Sequence, residues 1–159
     1  YNVDNIGYGK SLLNRTTVMS FWWGLHDWHD PITFLFGHGL GSSFGSAFDA
    51  GHIAQMYPNY GINLTTVSTL LWDLGLVGLV LYISIFIIAW FQVSKIWRST
   101  NSPSIKADCL AIQAGIAFTL LFLLYSDSQV NLMVHEIIIA VLLGYAAFLY
   151  QTQRKASNI

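Results

Sequence analysis

The run from Leu74 to Phe91, LGLVGLVLYISIFIIAWF, is 18 residues long and carries no charge. At about 1.5 Å rise per residue it makes a helix of about 27 Å, close to the hydrocarbon thickness of a bilayer. A helix that is apolar on every face needs lipid or other apolar helices around it. Two more such stretches follow. Cys109 to Tyr125, CLAIQAGIAFTLLFLLY, is interrupted only by Gln113, and Leu132 to Tyr150 ends in the clean run IIIAVLLGYAAFLY. That clean run alone is short for a span, so His135 and Glu136 before it are expected near the interface. Composition agrees. Charged residues make up 9% of the 159 residues and apolar ones 54%, whereas a soluble domain carries roughly 25% charge. This excludes an ordinary soluble enzyme and a disordered chain. A formal net charge of -1 provides no field to recruit nucleic acid, which is not expected as a partner. The single cysteine, Cys109, excludes an intrachain disulfide and a Cys-rich metal site.

Basic residues set the expected orientation. Lys95, Arg98 and Lys106 lie between the first two spans and Arg154 and Lys155 follow the third, while the intervening SDSQVN has neither Lys nor Arg. Positive charge flanking a span favours the cytoplasmic side. The chain is therefore expected to cross at about 74–91, 109–125 and 132–150, with residues 1–73 external and a cytoplasmic tail at 151–159. Of eight acidic residues only Asp108 falls on the cytoplasmic side. Trp72, Trp90, Trp97, Tyr125 and Tyr150 fall near the expected interfaces, as amphipathic rings do. All three spans look unbroken. Ala111 and Gly115 leave room for a neighbouring helix, and Gln113 is suited to an interhelical hydrogen bond. The chain opens at Tyr1 inside a polar segment, and the expectation is the C-terminal piece of a larger membrane protein.

Residues 1–73 carry the candidate chemistry. Leu12 to Leu25 is expected to be a helix starting near Ser11 or Asn14. Its VMSFWWGL run is too short to span and suits a helix lying in the headgroup region. Ile62 to Trp72 is expected to be a helix leading into the first span, capped by Asn63 or Thr65. HDWHD supplies His26, Asp27, His29 and Asp30. Imidazole and carboxylate suit a metal, but two close ligands are too few, and the segment reads equally as a polar surface loop. FGHGLGSS, from Phe36 to Ser43, offers glycine amides that can cradle a phosphate, or simply a tight turn. Its His38 can act as a base near neutral pH. Arg15 and Lys10 are the external cations, and Arg holds phosphate through two parallel hydrogen bonds. Trp22, Trp23, Trp28, Phe21, Phe34, Phe36, Tyr57 and Tyr60 can stack on sugar rings or form an interfacial belt. Asp127, His135 and Glu136 form a second possible acid/base group near the membrane.

The order LFGHGLGSS, a polar aromatic spacer, then LLWDLGLVGLVLYI opening a span resembles the C-terminal part of the O-antigen ligase and O-antigen polymerase superfamily. Gly37, Gly39 and Gly41 stand in that family's glycine segment. Asp73, Gly75 and Gly78 stand in its E-x-G-x-x-G pattern, with Asp for Glu. The resemblance implies an all-α polytopic protein of the bacterial inner membrane, this part of it holding three transmembrane helices and a periplasmic loop with short interfacial helices. It implies a glycosyltransferase that needs no cofactor or metal. A glycan on a polyprenyl diphosphate carrier moves to a sugar hydroxyl and the carrier diphosphate leaves. The expected partners are that lipid-linked glycan, the bilayer, and N-terminal transmembrane helices of the same protein. Arg15 is then expected to meet the leaving diphosphate and His38 or His52 to act as base. Gly37, Gly39, Gly41, Trp22 and Trp23 are expected to line the substrate. The family's ligases carry a His about eleven residues before the position of Gly75. Leu64 stands there, beside Asn63, which weakens the ligase assignment and leaves the polymerase-like one, or a relative with lost or altered chemistry. The alternative from another class is a non-catalytic transporter or scaffold for lipid-linked glycans, which would place polar residues at broken helices in mid-membrane.

Overall fold

Thr65 starts the longest helix of the chain. Its hydroxyl accepts from the Ser68 amide and the Ser68 hydroxyl accepts from the Thr65 amide, each at 3.1 Å, so two of the amides a helix N-terminus leaves unpaired are satisfied. Asn14 does the corresponding work for the first helix, its Oδ1 accepting from the amides of Thr16 at 2.9 Å and Thr17 at 2.8 Å. The computed structural model describes residues 13–26, 31–45 and 50–156. Its elements are α1 (Thr17–Leu25), α2 (Pro31–Phe36), α3 (His52–Met56), α4 (Thr66–Ser99), α5 (Pro103–Phe122), α6 (Ser128–Asn131) and α7 (Met133–Ala156). No strand occurs among the described residues. Thr66–Ser99, Pro103–Phe122 and Met133–Arg154 are each long and apolar enough to cross a membrane.

The three long helices run antiparallel in succession. The Thr66 amide and hydroxyl both donate to the Ser126 carbonyl, at 2.9 and 2.7 Å, which fixes the start of α4 against the end of α5. At the far end Phe86, Ala89, Val93 and Ile96 of α4 bury against Cys109, Ile112 and Ile116 of α5 and Ala146 and Leu149 of α7. Gly115 lets α7 approach, since a Cβ there would lie 2.8 Å from Leu142 Cδ1. Gln113 Nε2 donates to Ser94 Oγ at 2.8 Å, an interhelical bond as its place in the span predicts. Outward, Val80, Ile85, Ile88, Phe118, Leu121 and Val141 are among the exposed side chains. An apolar surface of this extent needs lipid or further apolar helices against it.

Two expectations are corrected. The first span is not an unbroken helix: Gly75 sits at φ 67, ψ -167 inside α4. The break falls nine residues after Thr66. The 24 residues beyond it make about 36 Å of helix, more than the hydrocarbon thickness, so the break lies at the edge of a span rather than at its middle. Secondly, Trp22 and Trp72 are buried in an aromatic cluster rather than set at an interface, while Trp23 and Phe36 stay exposed. Trp72 is 2% exposed. Phe21 at 6.4 Å and Tyr57 at 6.0 Å pack against it, centroid to centroid, and Phe21 stacks on Tyr60 at 5.2 Å. Phe21 and Trp22 of α1, Phe34 of α2 and Tyr57 after α3 pack into one cluster with Trp72 at the start of α4, because rings pack closely against one another.

Candidate functional site

The site is built around Asp73, two residues before the break. The carboxylate is 6% exposed. Its Oδ2 accepts from the Gly41 amide at 2.8 Å, and its Oδ1 accepts from the Ser43 amide and the Ser42 hydroxyl, both at 2.9 Å. The main chain repeats the pairing. His38 N–H donates to the Trp72 carbonyl and Gly39 N–H to the Asp73 carbonyl, each at 2.9 Å. These carbonyls are free because Gly75 leaves the helical path. Gly37 and Gly75 touch back to back. A Cβ on Gly37 would lie 2.6 Å from the Asp73 carbonyl and the Gly75 amide, and one on Gly75 would strike the Leu35 carbonyl. Both have positive φ, 69 and 67, so only glycine satisfies the backbone and the space together.

This corrects the phosphate-cradle expectation for Gly37, Gly39 and Gly41. The amides that a glycine loop offers an anion are used internally, on the Asp73 carboxylate, on helix α4 and, for Gly37, on the Thr33 carbonyl at 2.9 Å. The loop binds an anion, but the anion is the chain's own. Its output is the position of His38, whose ring stacks on Trp72 at 5.8 Å and 28°.

Three imidazoles form a row, two of them, His26 and His38, against Trp72. His26 and His38 lie 5.8 Å apart and His38 and His52 6.2 Å apart, ring to ring. His52 begins α3, whose Ile53 and Ala54 amides donate to the Ser42 carbonyl at 3.1 Å. The aspartate-held loop therefore positions both His38 and His52. His26, expected beside His29 in a metal or surface motif, belongs to this row instead. His29, Asp27, Asp30 and Trp28 lie outside the described residues. His26 Nδ1 bonds the Trp22 carbonyl at 2.8 Å. A carbonyl only accepts, so Nδ1 carries a proton. His26 Nε2 is buried without a hydrogen-bond partner, as are the indole nitrogens of Trp22 and Trp72. No group of three or more His, Cys, Asp or Glu suited to a metal occurs among the described residues.

The other candidates are spread out. Trp22 is buried, stacked on Phe34 at 5.1 Å and 4.4 Å from His26, which leaves no ring face for a substrate. Trp23 is 57% exposed. Arg15 precedes the first turn of α1, its guanidinium 4.2 Å from the centre of the Tyr125 ring, whereas His26 follows the last turn. A nine-residue helix is about 13 Å long, so a ligand that meets both Arg15 and the imidazoles is an extended one. Asp127 is occupied, accepting from Asn131 Nδ2 at 2.8 Å. Asp73 stands in the sequence only as the acidic member of the E-x-G-x-x-G pattern, and no local signal pairs it with a glycine loop some thirty residues away. Comparison with protein-family models, with curated proteins and with solved structures finds no match to the chain.

Proposed function

We propose that the chain belongs to a surface-polysaccharide polymerase or ligase that moves a glycan from a polyprenyl diphosphate to a sugar hydroxyl at the outer face of a bacterial inner membrane. The reading rests on the LFGHGLGSS and Asp73-Leu-Gly75 resemblance. The observation that carries it is the row of His38 and His52 at the membrane end of α4, with a cation, Arg15, at the same end of the helices. An imidazole can take the acceptor's hydroxyl proton. Arg15 offsets the charge that develops on the departing diphosphate. The distance between them suits a donor whose diphosphate and sugar extend along the surface. Charge supports the orientation. Among the described residues Lys95, Arg98, Lys106 and Arg154 all fall at the opposite end of the helices from this site, the pattern of a cytoplasmic face.

The break at Gly75 is the observation that favours a transporter for the same lipid-linked glycan. Its placement at the end of the span, with its freed carbonyls already paired to His38 and Gly39, leaves no open ion or substrate site of the kind broken helices build. Arg15→Ala should abolish surface glycan assembly in cells while the protein's abundance is unchanged. Normal polymer length in that variant removes Arg15 from the reaction and the transferase reading with it.

A further inference from the structure

Beside the histidine row, on the far side of Ser42, the loop and the turn after α3 enclose a pocket of about 270 Å³. Four side chains that can hydrogen-bond line it: Ser43, Tyr57, Asn59 and Asn63. None of the four side chains uses that capacity within the described protein. The Ser43 hydroxyl is buried with no partner, in a residue that is 0% exposed. The Tyr57 hydroxyl and both amides make no hydrogen bond to a described residue. An unpaired buried hydroxyl costs stability, and such a group persists where a ligand or water satisfies it.

The backbone is shaped toward the same space. Asn59 holds φ 67, the one non-glycine residue with positive φ among the described residues, a conformation that Asn tolerates better than most residues. Gly45 and Gly61 at the rim present bare backbone. Ser43 itself is fixed by its amide bond to Asp73. The described lining carries no formal charge. A phosphate needs cations or several converging N–H groups, and neither is here. Amides and hydroxyls both donate and accept, as sugar hydroxyls do, and Tyr57 adds an aromatic wall.

We infer that this pocket is a subsite for an uncharged, hydroxyl-rich sugar residue. Its part as the acceptor subsite, two ring contacts from His38 through Tyr57 and Trp72 at 6.0 and 5.8 Å, rests on the transferase reading. Its capacity to bind a sugar does not.

The test is saturation-transfer NMR on the purified protein in a detergent that has no sugar headgroup. The probes are methyl glycosides of glucose, galactose, rhamnose and N-acetylglucosamine, with inorganic phosphate as competitor. At least one glycoside should receive saturation, and phosphate should not displace it. Asn63→Ala should weaken that binding by about tenfold, the worth of one good hydrogen bond. Ser43→Ala should weaken it too while leaving the melting temperature unchanged or higher, because an unpaired buried hydroxyl is removed. A purely structural serine would lower the melting temperature and leave binding alone. Should Ser43→Ala not fold, Tyr57→Phe, which removes only a hydroxyl from the lining, makes the same comparison. No saturation for any glycoside, equal saturation in the variants, or displacement by phosphate overturns the assignment. Glycoside binding together with normal polymer in Arg15→Ala would keep the pocket and discard the reaction. Polymer loss in Arg15→Ala without glycoside binding would do the reverse.

Discussion

Asp73→Ala tests whether the site is held by one carboxylate. The side chain accepts three hydrogen bonds, from Gly41 N–H, Ser43 N–H and the Ser42 hydroxyl. Bonds to a charged acceptor contribute about 1.5–3 kcal/mol each, which bounds the gross loss near 9 kcal/mol. Two effects reduce it. The buried carboxylate no longer has to be desolvated, and the Gly41 amide, in an exposed residue, can turn to water. A net cost of about 3–5 kcal/mol remains, placed on the loop rather than on the helical bundle. Hydrogen exchange read by mass spectrometry in detergent reports local opening. With a factor of ten for each 1.4 kcal/mol, exchange at the Gly41 and Ser43 amides should speed up by about a hundred- to several-thousand-fold. Amides in the second half of α4 should keep their wild-type rates. Asp73→Asn keeps one acceptor oxygen and sets an NH2 against the Gly41 N–H, so its exchange should be intermediate. Less than tenfold acceleration in Asp73→Ala would mean that the main-chain pairs of His38 and Gly39 hold the loop without the side chain, and the reasoning would be wrong.

Gly75→Ala must place a Cβ on the Leu35 carbonyl and hold φ near 67. A cost of at least 1–3 kcal/mol from the backbone alone should lower the melting temperature in detergent, and an unchanged melting curve would show that the break is not required. For the arrangement in the membrane, Met133→Cys and Ser99→Cys in a Cys109→Ala background should react with an impermeant thiol reagent from opposite faces. Both positions are exposed and Cys109 is buried, so reaction of both from one face would contradict the three-span reading.

How much was legible beforehand depended on the kind of interaction. Spans were legible because an 18-residue uncharged run has no other stable environment. Helix starts were nearly so, since Asn14 and Thr65 cap through bonds to residues only two or three positions away. Gly115 and Gln113 could be assigned to helix contacts because in a span small and polar residues have few other uses. The aromatic residues misled. Trp22 and Trp72 sit at the sequence distance of interfacial anchors, yet bury together, and a ring has the same composition in either place.

The amino-acid order by itself determined that the chain forms apolar helices and which end carries the cations, because those properties follow from neighbours within one or two turns. Only the tertiary structure decided that Asp73 is the ligand of the glycine loop, more than thirty residues from Gly41. The same holds for the break of α4 at Gly75, and for His26, His38 and His52 forming one row. Each of these depends on a carbonyl, a carboxylate or a ring meeting a partner that is remote along the chain, and no local pattern of hydrophobicity encodes which partner that will be.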